Sequence, residues 1–78
     1  MDDYFKNITR IIAGKTGVDP EEITEESYLE DDLNIGEIEL LEIIVALEEE
    51  YAIEFEEEEK ENIESVMDLV ELVVEKVD

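Results

Sequence analysis

Any chemistry in this chain must come from carboxylates and a few hydroxyls, because it contains no cysteine and no histidine. A thiol nucleophile, an imidazole base and a zinc site are thereby excluded. Two acidic runs stand out, Glu30-Asp31-Asp32 and Glu56-Glu57-Glu58-Glu59. Neither has the alternating ligands and central glycine of an EF-hand loop, so they predict weak, delocalised divalent cations rather than a dedicated metal site. Paired carboxylates can work as acid and base, but nothing beyond abundance pairs these. No enzyme activity is expected. The hydroxyls of Thr24 and Ser27 fall in a polar stretch, and Ser65 stands just before an apolar run.

Composition narrows the partners. The 78 residues carry 27 acidic and 5 basic side chains, a net charge of −22. Such a field repels nucleic acid and anionic membrane surfaces and attracts basic protein patches. It also opposes compaction, so carboxylate pKa values are expected to rise by crowding, and salt or divalent cations to stabilise the fold. A hydrophobic fraction of 44% is ordinary for a folded protein. The length predicts one domain over 1–78, with a thin core and a monomeric state. No signal-peptide pattern opens the chain and no apolar run is long enough to span a membrane, which predicts a cytoplasmic protein.

The elements follow from apolar spacing. Tyr4, Phe5, Ile8, Ile11 and Ile12 recur at three- and four-residue steps and predict a helix from Asp3 to Lys15, stopped by Gly17. Asp19-Pro20 looks like a cap and first-turn pair opening a single turn. Thr24 to Leu33 has no sustained period and reads as a long loop, with Ile23, Leu29 and Leu33 pinning it to the helices. A second helix should start near Asn34–Glu37 and reach Tyr51. Its buried stripe is Leu40, Ile44, Leu47 and Tyr51, widened by Leu41 and Ile43, while Ile38, Glu42, Val45 and Glu49 share the opposite face. A brief helix is expected over Glu56 to Ile63. A last helix, capped by Ser65 with Asp68 three residues on, runs from Val66 to Val77. The expected class is an all-α four-helix bundle: three main helices, one short helix and a long first connection.

Several segments in this order carry a resemblance. Gly17-Val18 followed by Glu21-Glu22-Ile23-Thr24, then Leu29-Glu30-Asp31-Asp32-Leu33, then Ala46-Leu47-Glu48-Glu49-Glu50-Tyr51-Ala52-Ile53-Glu54 together resemble the acyl carrier protein family over the whole chain. In that family an Asp-Ser-Leu triplet opens the central helix, and its serine receives phosphopantetheine, whose thiol carries acyl groups. The aligned triplet here is Gly36-Glu37-Ile38. A carboxylate is not the hydroxyl nucleophile that a phosphodiester requires, so the resemblance implies a carrier-like protein of fatty-acid or related acyl metabolism with no prosthetic group on Glu37. It further implies partner binding through Ile38, Glu39, Glu42, Val45, Glu48, Glu49 and Phe55. The partners would be basic patches of acyl-handling enzymes, of transferase, ketosynthase or ligase type.

Two positions keep competing readings. Glu37 can complete a capping box with Asn34, mimic a phosphate charge, or represent a replacement that blocks modification. The acidic face of the second helix can be plain solvated surface, or a docking face whose apolar members supply contact area. A non-carrier interaction module that kept the fold and lost the chemistry is the alternative function.

Overall fold

The apolar stripes become three long helices around one core; the computed structural model describes residues 3–77. The order is α1 (Tyr4–Thr16), a single 3-10 turn (Pro20–Glu22), α2 (Glu37–Tyr51), α3 (Glu57–Glu61) and α4 (Val66–Val77). Among the described residues there is no strand, only an isolated bridge between Tyr28 and Ser65. The class is all-α, with the long connection where it was expected.

Helix α1 has both ends closed locally. The Asp3 carboxylate accepts from the Lys6 N–H at 2.9 Å, satisfying one of the free donors at the start. At the other end Gly17 takes φ 81° and donates to the Ala13 carbonyl, a left-handed turn that glycine adopts at little strain. Ile8 and Ile12 are fully buried, and Tyr4, Phe5 and Ile11 pack partly against them. From α2 they meet Ile43, Ile44 and Leu47; from α4, Val66, Leu69 and Val73.

The long connection is an ordered segment. Ile23, Leu29 and Leu33 are buried as expected, and Ile35, which the periodicity left unassigned, joins them at 3% exposure. Its backbone is satisfied from far along the sequence. Leu29 N–H donates to Glu64 at 2.9 Å, while Val66 and Met67 donate back to Ser27 and Glu25 at 3.0 and 3.1 Å. The hydroxyls of Thr24 and Ser27 bond each other at 3.0 Å inside the loop. Ser65 caps α4 as its sequence indicates: Asp68 N–H donates to the Ser65 hydroxyl, and the Asp68 carboxylate accepts from Ser65 and Glu64 N–H.

Helix α3 is shorter than the expected Glu56-to-Ile63 span and buries no residue of its own. The flanking Phe55 and Ile63 are both buried and hold its ends. A Glu59 oxygen accepts from the Glu56 N–H at 2.7 Å and pairs with Lys76 of α4 at 2.8 Å. These contacts, the Glu56 bond first and Lys76 second, hold the Glu59 carboxyl below the usual range; the Glu59 bond raises Lys76. Charge crowding predicts the opposite direction for a carboxylate. At Glu59 a direct backbone donor and a cation outweigh the desolvation that opposes them.

Candidate functional site: the start and outer face of α2

The first turn of α2 corrects the expected cap. Asn34 lies outside the helix in a left-handed conformation, φ 58°, a region its short amide side chain tolerates. Gly36 is the N-cap, and Glu39, not Glu37, reaches back to accept from the Gly36 N–H at 3.3 Å. The capping reading of Glu37 is therefore overturned. Glu37 is the first residue of the helix, exposed, and its carboxylate has neither a hydrogen bond nor an ion pair among the described residues. It borders a cleft of about 700 Å³ between the long connection, α2 and α3, in which Leu40, Ile44 and Ile63 lie below Lys60, Glu57 and Glu61.

The remaining aliphatic hydroxyls are occupied elsewhere. Thr16 donates to the Ile12 carbonyl, Thr24 and Ser27 are bonded together, Ser65 caps α4 and Thr9 is buried. None stands exposed at a helix start, where free N–H groups would favour an incoming phosphate. The residues present do not fit a phosphopantetheine attachment.

The outer face of α2 is the one the period of 3.6 predicts, with one addition. Ile38 is 75% exposed and Val45 51% exposed, with Glu42 and Glu49 beside them. Leu41, expected to widen the buried stripe, is 47% exposed and joins this face. It lies three residues from Ile38 and four from Val45, so the same spacing that suggested burial fits the outer stripe equally well. These residues line a shallow groove of about 640 Å³ that Lys15 of α1 closes. Phe55 is not part of it. At 5% exposure it belongs to the core, and its burial as an anchor of α3 removes it from the partner-binding set. Glu48 is half-buried and its carboxylate accepts from the Phe55 N–H at 2.8 Å, so it fixes the link after α2. Glu39 is half-buried in its capping role, which leaves Ile38, Glu42, Val45 and Glu49 of the expected set fully on the surface.

Comparison with known proteins fits this arrangement. A family profile described as phosphopantetheine attachment site matches residues 6–73. The chain is 40% identical over 73 residues to the acyl carrier protein of Buchnera aphidicola subsp. Baizongia pistaciae, covering 94% of each. It is 33% identical over 75 residues to that of Thermosynechococcus vestitus, covering 96% of this chain and 93% of the other. Among solved structures, the acyl carrier protein of Thermotoga maritima superposes with a TM-score of 0.80 at 30% identity, over 91% of this chain and 82% of that one. An apo doublet acyl carrier protein from prodigiosin biosynthesis shares the fold, with a TM-score of 0.82 at 23% identity over 94% of this chain and 35% of its own. The class is thus a small helical carrier, whose members hold a phosphopantetheine group and are not enzymes. This chain belongs to the acyl carrier protein family. No helix among the described residues is long and apolar enough to cross a membrane.

Proposed function

We propose that this chain is a docking form of the acyl carrier fold, one that meets acyl-handling enzymes through α2 without carrying an acyl group on Glu37. The observation that carries the reading is the outward set Ile38, Leu41 and Val45, large apolar side chains left exposed between Glu42 and Glu49. Burying them against a partner contributes roughly 25 cal/mol per Å². The carboxylates steer encounter with a basic patch and raise the association rate. The partner class is a transferase, ketosynthase or ligase of acyl metabolism, in the cytoplasm.

Glu37 at the first position of α2 supports the unloaded half of the reading, and it also favours the second one. A non-carrier interaction module would keep the fold and dispense with the hydroxyl. Incubation with a broad phosphopantetheinyl transferase and coenzyme A is expected to leave the intact mass unchanged. Glu37→Ser tests the register by gaining the arm, although Gly36 in place of aspartate makes it a poor substrate. If neither the unaltered chain nor the serine form binds an acyl-handling enzyme, the non-carrier module replaces the carrier reading. A mass gain on the unaltered chain would overturn the assignment of Glu37.

A further inference from the structure

Two of the few basic residues stand together on α1, beside a mainly apolar cavity. Of the five basic residues, Lys60 and Lys76 reach carboxylates, at 4.0 and 2.8 Å. The other three have no carboxylate partner among the described residues, although acidic residues outnumber basic ones 27 to 5; Lys15 borders the α2 groove, which leaves Lys6 and Arg10. Arg10 makes a single long contact, 3.5 Å to the Asn7 side chain, which leaves most of its guanidinium donors free. Both cations rim a cavity of about 460 Å³ between α1 and the 3-10 turn. This volume falls within the ~300–1,000 Å³ common for small-molecule sites.

The cavity is built by helical spacing. Phe5, Thr9 and Ala13 follow one another at four-residue steps, Lys6 and Arg10 stand one position further round, and Pro20 closes the opposite wall. Asp3 is the lone acid of the lining, and one of its oxygens is already held by the Lys6 N–H. Thr9 is 7% exposed, and its hydroxyl has no hydrogen-bond partner among the described residues. An apolar wall, two cations and a buried hydroxyl, none of the three polar groups with a carboxylate partner among the described residues, have complementary requirements. They call for an apolar body bearing an anionic head.

We infer that the cavity between α1 and the 3-10 turn binds a small amphiphilic carboxylate, with Lys6 and Arg10 on the head group and Phe5, Ala13 and Pro20 around the tail. This site is separate from the outer face of α2 and stands whether or not that face docks enzymes. The net charge of −22 gives it an unusual salt signature. Long-range repulsion acts across a molecule of 29 × 28 × 19 Å and is screened once the Debye length falls from ~30 to ~8 Å, between about 0.01 and 0.15 M salt. Direct contacts to the two cations are shorter than either length and are screened less. Affinity for the carboxylate therefore rises with salt over this range.

Octanoate, octanol and octylammonium provide matched probes, titrated into the full chain at neutral pH while backbone amide resonances are followed. The expected result is saturable movement of the Phe5, Lys6, Thr9, Arg10 and Ala13 amides with octanoate, tighter at 0.15 M than at 0.01 M salt. Octylammonium should leave these amides in place. Replacing both cations, Lys6→Gln with Arg10→Gln, is expected to weaken octanoate roughly tenfold. Lys15→Gln, at the other end of α1, should change it less than about twofold. Thr9→Val should weaken octanoate about threefold and leave octanol unaffected. Equal binding of octanol and octanoate, indifference to the double replacement, or shifts gathered at Leu40, Ile44 and Ile63 instead would overturn the assignment.

Discussion

At the scale of the residue, the informative side chains are those that point the wrong way for their type. Val45 and Ile38 are apolar and exposed; Thr9 is polar and buried. Val45→Glu should weaken binding to an acyl-handling enzyme while changing stability by less than about 0.5 kcal/mol, as expected for a surface exchange. Glu42→Lys should slow association and flatten its salt dependence, measured by stopped-flow mixing with the same enzyme. Leu47→Ala is the contrasting case. That side chain is fully buried between α1 and α4, and its removal should cost about 2–5 kcal/mol in chemical denaturation. Thr9→Val removes a hydroxyl with no partner and keeps the shape, so it should stabilise the free chain by about 1 kcal/mol in the same assay. A loss of stability at Thr9→Val would mean that the hydroxyl is satisfied in solution.

At the scale of the element, what the sequence discloses depends on whether a signal is local. Helices α1 and α4 were legible to within a residue or two, because Ile8 and Ile12, or Val66, Leu69 and Val73, repeat on one stripe and each start has its own capping group. The exposed part of the α2 face was legible for the same reason. The start of α2 was not: asparagine is favoured both as a cap and in the left-handed conformation, and only tertiary placement chose the second for Asn34. Phe55 misled similarly. In an extended link an apolar side chain can turn either way, and the nearby core decided. Helix α3, with no buried residue, depends on its ends and on Glu59. The lowered carboxyl of Glu59 contributes stability that is fully present above pH 4.5 and is lost as pH falls through its lower folded value. The raised Lys76 keeps its share below pH 10.5 and loses it as pH rises through a still higher value. Glu59→Gln keeps the acceptor and removes the charge. Its melting temperature should lie below that of the unaltered chain by a constant margin between about pH 6 and 9, and the margin should close as the solution is made strongly acidic.

At the scale of the whole molecule, charge sets the conditions under which the fold holds. Twenty-seven acidic residues share a chain whose Cα radius of gyration is 11.2 Å, so most are within a few Debye lengths of one another at low salt. Simple salt, and divalent cations more strongly, should raise the melting temperature at neutral pH. A thermal midpoint unchanged between about 0.01 and 0.3 M salt would show that packing alone governs stability.

The stitching of the long connection to the start of α4 has a consequence for synthesis. The Glu25 and Ser27 carbonyls and the Leu29 N–H find backbone partners among residues 64–67, about half a chain length later. During translation these groups stay in water until the segment around Ser65 has left the ribosome, even though α1 and α2 are already outside. Closure of the core is therefore deferred until that segment has emerged. A chain halted at Asn62 should remain accessible to protease on the ribosome, whereas one extended through Val77 with a tether should become resistant in a single step.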